Sequence, residues 1–204
     1  MSVELDHIAV ACSELSAGQT YVEDALGVAL QPGGQHAHFG THNLLLGLED
    51  GLYLEVITID PDAPAPGYPR WFDLDRFKGS PRLTNWICRT DDLAGFVAKQ
   101  PEAGTPVALS RADLRWQMAV PKDGILPFDN MFPAMIEWHS HPHPASRLAP
   151  SGCRLQHLTV RHPQADALRL KLHDTLHDDR VRYETGAAGF EARFDTPHGP
   201  RVLE

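Results

Sequence analysis

The chain repeats itself, and that repetition restricts its fold more than any single motif does. Residues 5–15, LDHIAVACSEL, align with residues 83–93, LTNWICRTDDL, and with residues 155–165, LQHLTVRHPQA. His7, Asn85 and His157 fall in one column. A second alignment sets YLEVI against MIEWH and RVLE, which places Glu55, Glu137 and Glu204 in another. Within the three copies the two columns stand 48, 52 and 47 residues apart. Paired columns at nearly equal spacing indicate one supersecondary unit used three times.

Each copy reads as a strand, then a helix, then further strands. Residues 4–12 form an apolar strand, and Ser13 to Ser16 offer capping groups. Tyr21, Val22, Ala25 and Leu26 then follow at helical spacing, closed by Gly27. HAHFGTHNLLLGL reads as two strands about a turn near Gly40, and DGLYLEVITID as a turn feeding an aliphatic strand. The proline-rich PDAPAPGYP must be irregular and ends the first unit. In the second copy a cap at Thr90 or Asp91 opens a helix over 92–100, and DLRWQMAVP and FPAMIEWH are strands beyond it. HSHPHPASRLAPSG separates off the tail. There a strand precedes a helix with Leu168, Leu172 and Leu176 on one face, then RVRYET, GFEARFDT and GPRVLE supply short strands. The pattern predicts an α+β chain with modules at 1–62, 80–142 and 152–204.

Charge and composition remove several function classes. Over 204 residues the formal net charge is -9, which argues against a nucleic-acid partner. No stretch approaches the roughly 20 apolar residues of a membrane span, and no basic-then-apolar leader opens the chain. Cys12, Cys88 and Cys153 are an odd number at long spacings, which suits reduced thiols and a cytoplasmic location. Neither Gly-x-Ser-x-Gly nor Cys-x-x-Cys occurs, and PGGQHAHFG has no phosphate-loop Lys-Ser/Thr.

Two residues stand out because their neighbours call for burial. Strand alternation puts His7 on a face with Leu5 and Ala9, with Asp6, Ile8 and Val10 opposite. Glu55 lies between Leu54 and Val56, and a carboxylate buried without a partner is costly. A metal ion, an Arg or a protonated partner would each relieve that cost. In PGGQHAHFGTHN, the groups His36, Thr41 and Asn43 could hold substrate oxygens or satisfy the turn itself. His139, His141 and His143 alternate, but Pro142 and Pro144 interrupt strand pairing and point to a surface loop. Trp71, Phe72 and Phe77 either pack or form a lid.

The segments LDHIAVAC, PGGQHAHFGTHNLLLGL and GLYLEVI resemble glyoxalase-like domain proteins of the vicinal oxygen chelate superfamily. That superfamily includes glyoxalase I, extradiol dioxygenases and the fosfomycin and bleomycin resistance proteins. The resemblance implies repeated βαβββ modules forming curved mixed sheets around a cleft, with a third C-terminal module. It implies metal ligands on the first and last strands of paired modules. Pairing of neighbours would assemble His7, Glu55, Asn85 and Glu137, where Asn85 departs from the usual His and becomes a substrate contact. Pairing of the first module with the third would assemble His7, Glu55, His157 and Glu204, a set suited to a divalent Zn, Ni, Fe or Mn ion. A third module left unpaired would pair with a second copy and give a homodimer. The implied function is a metal-dependent lyase, isomerase or dioxygenase on a small oxygen-rich substrate, with Glu55 and Glu137 as catalytic carboxylates. The alternative is a metal-free protein that binds or sequesters a small planar compound. The resemblance favours His36 and Asn43 as substrate contacts.

Overall fold

The computed structural model describes residues 2–204. Its first half runs β1 (Val3–Ala11), α1 (Leu15–Leu26), β2 (Gln31–His36), β3 (Thr41–Gly47) and β4 (Tyr53–Ile59). Its second half runs β5 (Arg82–Thr90), α2 (Leu93–Lys99), β6 (Thr105–Arg111), β7 (Leu114–Val120) and β8 (Ala134–Trp138). The tail holds β9 (Arg154–Arg161), α3 (Ala165–Leu172), β10 (Val181–Glu184), β11 (Gly189–Thr196) and β12 (Gly199–Leu203). Helix α1 stops where Gly27 turns left-handed (φ 72°) and its N–H reaches the Glu23 carbonyl. Helix α2 starts where the Asp92 side chain accepts the Gly95 N–H.

The first two units share one eight-stranded sheet of order β2-β3-β4-β1-β5-β8-β7-β6. β1 and β5 lie antiparallel at its centre, while β4 is parallel to β1 and β8 is parallel to β5. Neighbouring modules therefore pair, and each half presents its first and last strands side by side. Strand β6 is absent from the pattern read in the sequence. It is an edge strand with Pro106 near its start and mostly half-exposed residues, so its apolar alternation is weak.

The tail repeats the chain order of elements but not their pairing. Its sheet is ordered β10-β9-β11-β12, so the strand after the helix is the one parallel to the first strand. β12 is an edge strand paired only to β11. This sheet packs its apolar side on the larger one: Phe190, Phe194, Leu155 and Leu158 are buried, and the Tyr183 ring lies 6.4 Å from that of Trp86. The reason for expecting a homodimer, a third unit without a partner, lapses because its apolar face is covered within the chain. All three cysteines are buried and free.

Candidate functional site

The inner face of the eight-stranded sheet forms a cleft with two chemically different halves. Strands of the first half supply His7, His36, Asn43, Tyr53 and Glu55. Strands of the second half supply Trp116, Met118, Ile136 and Trp138, with Arg111 at the rim. Trp71 and Phe72 complete the wall. The Trp71 ring stacks on Phe39 (4.5 Å) and Phe72 (5.1 Å), so these aromatics both pack and line the cleft. Phe72 and Asp73 hold left-handed backbone (φ 58° and 55°), a strained shape for residues that are not glycine. The free volume is about 30 Å³, room for one water molecule. A ligand must therefore displace side chains at the rim.

His7 is gripped from both sides. Its Nδ1–H donates to Asp6 Oδ1 (2.6 Å), and its Nε2 faces Glu55 Oε2 at 3.7 Å. Its ring stacks on Tyr53, 4.2 Å between centroids. Strict alternation would have put Asp6 on the far face. A bulge in the β1–β5 pairing between Leu5 and His7 defeats that expectation and brings Asp6 beside His7. Asp6 also accepts Trp138 Nε1–H (3.1 Å) and His143 Nε2–H (2.8 Å). Burial opposes charge on both groups, but these bonds outweigh it. Asp6 is held well below the usual carboxylate range, and the carboxylates Asp6 and Glu55 raise His7 above the usual imidazole value.

Glu55 is served in the same way. Burial disfavours its charge, yet the His7 ring and the Asn43 amide hold it down to about 2. Asn43 Nδ2–H donates to Glu55 Oε1 (2.5 Å), while its Oδ1 accepts from the Gly34 N–H (2.7 Å). This fixes the orientation of the amide. His36 is neutral, because burial lowers it to about 4. Its Nδ1–H donates to Thr41 Oγ1 (3.0 Å), which leaves Nε2 as an acceptor towards Arg111 (3.5 Å). Thr41 thus reaches the cleft only through His36.

The other expected site residues lie elsewhere or act differently. Glu137 neighbours Trp138 on β8, and Trp138 takes the cleft side. Glu137 instead caps α2 by accepting the Leu93 N–H (2.9 Å), with His139 Nε2 3.2 Å away. His157 and Glu204 belong to the tail. His157 contacts Arg182 (2.8 Å), and Glu204 takes the Tyr21 hydroxyl on its backbone carbonyl (2.6 Å). Neither comes to His7 and Glu55, because β9 and β12 belong to the separate four-stranded sheet. Asn85 lies across β1 from Glu55, both opposite Ala9, and it is fully buried with neither end of its amide bonded. His143, expected on a surface loop, instead folds in to bond Asp6.

This donor set does not fit a resident metal. A catalytic site draws three protein ligands, and among the described residues no group of three His, Cys, Asp or Glu side chains is arranged to hold an ion. His7 and Glu55 stand together, but the second half offers Ile136, Trp138 and an amide where two further donors belong.

A larger hollow, about 840 Å³, opens at the end of the sheet between Glu4, Arg89, Glu49 and the loop that carries His141 and Ala145. Trp138 lines both spaces and His143 lines the hollow, and both bond Asp6 between them.

Two like units joined at their first strands, with His and Glu on adjacent strands over a curled sheet, define a vicinal oxygen chelate architecture. The glyoxalase-like domain family model matches residues 5–176, and the chain belongs to that family. No curated protein matches the chain. Among solved structures, a hypothetical protein from Staphylococcus aureus is 18% identical over 93% of this chain and 88% of its own, with a TM-score of 0.67. Methylmalonyl-CoA epimerase from Mycobacterium tuberculosis is 19% identical over 70% of this chain and 91% of its own, with a TM-score of 0.44. A methylmalonyl-CoA epimerase in complex with methylmalonyl-CoA is 16% identical over 71% and 100%, with a TM-score of 0.46.

Asp6, Tyr53, Arg111, Trp116 and Trp138 were not among the residues singled out from the sequence. The Asp-His pair was visible there, but the bulge that joins it was not. Arg111 sits on the strand that the sequence pattern missed.

Proposed function

We propose that the protein binds a small planar compound in this cleft without a resident metal. The observation that carries the reading is the division of the cleft. A fixed His7–Glu55 pair, 3.7 Å apart, faces a wall of Trp116, Trp138, Met118 and Ile136. The gap between Nε2 and Oε2 is too long for a good hydrogen bond. A ligand oxygen bridging the pair from the cleft side would accept from the protonated His7 ring and, if a hydroxyl, donate to Glu55. The aromatic wall would cover the ligand's apolar body.

A second reading, an enzyme that moves a proton between His7 and Glu55, has one observation in its favour. Asp6 orients His7 as a buried carboxylate orients a catalytic imidazole. It is the weaker reading, because a carboxylate held at about 2 is a poor base near neutral pH.

The test is tryptophan fluorescence titration with planar phenols and aromatic acids in the presence of EDTA. Binding that survives EDTA and weakens at least tenfold in His7→Ala and Glu55→Gln supports the reading. Binding that appears only on addition of Zn, Ni, Fe or Mn refutes it and restores the metal-dependent lyase, isomerase or dioxygenase.

A further inference from the structure

Among the described residues nine arginines meet a carboxylate within 4.0 Å, such as Arg70 with Asp75 and Arg180 with Asp178. Arg111 does not, although it is half-buried at the cleft rim. Its Nη1 makes only long contacts with neutral acceptors, Asn43 Oδ1 at 3.3 Å and His36 Nε2 at 3.5 Å. A guanidinium drawn out of water without an anion leaves strong donors underused.

A second unused donor belongs to the lining of the same cleft. Trp71 is 3% exposed, lines the same cleft, and its Nε1–H has no acceptor. Its ring meets His36 edge-on at 5.1 Å. Neutral His36 cannot supply negative charge, and Glu55 is already engaged by Asn43 and His7. The cleft therefore holds spare donors and positive charge that no anion among the described residues matches.

Gly34 on β2 makes the seat for this arginine. A Cβ there would stand 2.8 Å from Arg111 Cδ and 3.3 Å from its Nε. The missing side chain lets the Arg111 stem lie across the opposite edge strand and hold its head over the cleft.

We propose that Arg111 and the Trp71 Nε1–H form an anion subsite, and that the ligand is a planar carboxylate. A guanidinium matches a carboxylate with two parallel N–H bonds. This rests on the binding reading above and adds the ligand's charge to it.

The test uses matched pairs, benzoate with benzamide and 2-naphthoate with 2-naphthamide, followed by tryptophan fluorescence at pH 7. Each acid is expected to bind about tenfold or more tightly than its amide, the margin of a charge-assisted bond over a neutral one. Arg111→Gln should abolish that preference, weakening the acid at least tenfold more than the amide. Gly34→Ala keeps the charge but displaces it, and should also reduce the preference. Equal binding of acid and amide, with Arg111→Gln indifferent, overturns the anion subsite and leaves the cleft as a binding site. Failure of every probe to bind at millimolar concentration overturns both.

Discussion

Replacing Asp6 by Asn tests the grip on His7 most directly. The wild-type carboxylate receives three hydrogen bonds while buried, one on Oδ1 from His7 and two on Oδ2 from Trp138 and His143. An amide has one oxygen. Its least costly orientation puts that oxygen where Trp138 and His143 converge and turns the NH2 towards His7 Nδ1. His7 must then accept at Nδ1, which makes the ring neutral and moves its proton to Nε2. The 2.6 Å bond to Asp6 is charge-assisted and contributes about 1.5–3 kcal/mol, and the two remaining bonds weaken as their acceptor loses its charge. Breaking a buried ion pair from one side costs about 3–5 kcal/mol. A loss of roughly 3 kcal/mol is therefore expected in urea unfolding, a large share of a stability of about 5–15 kcal/mol. NMR titration of His7 should show its pKa falling below the usual imidazole value. A loss under about 1 kcal/mol with His7 still raised would refute the assignment of Asp6 as a group that raises His7.

The remaining predictions concern pH and two single residues. His7 is raised, so its contribution is complete below 6.5 and is lost as pH rises through its folded value. His36 is lowered to about 4, so the unfolded chain takes up its proton first and stability falls from pH 6.5 towards 4, by on the order of 3 kcal/mol. Urea midpoints should peak near pH 6.5, and a flat or rising profile on acidification from there would contradict the neutral His36. Glu137→Ala should cost about 1 kcal/mol through the cap on α2 and leave ligand affinity unchanged; weaker binding would return Glu137 to the site. Asn85→Leu removes a buried amide with no partner and should be neutral or stabilising by about 1 kcal/mol. A marked loss of stability would mean that the amide is satisfied by a buried water.

Local pattern made much of the architecture readable. The strand–helix–strand order, the Gly27 stop, the turn near Gly40 and the pairing column of His7 with Glu55 all follow from spacings along the chain. What it could not settle was pairing between distant segments. The three copies look alike in order, yet only the first two join in one sheet, and the third forms its own, so His157 and Glu204 stay apart from the cleft. A strand's neighbour is chosen by long-range packing, which leaves no mark at fixed spacing.

Facing directions failed for the same reason. One bulge reversed Asp6, and Glu137, in the column of Glu55, faces α2 rather than the cleft. Arg111 was invisible because its strand is a half-exposed edge, where the apolar signal is weakest. Periodicity determined the elements of this protein, because side-chain direction repeats locally along a helix or strand. The tertiary structure alone decided which side chains share the cleft, because sheet order, register and bulges join residues up to 137 positions apart, as in the contact of His143 with Asp6.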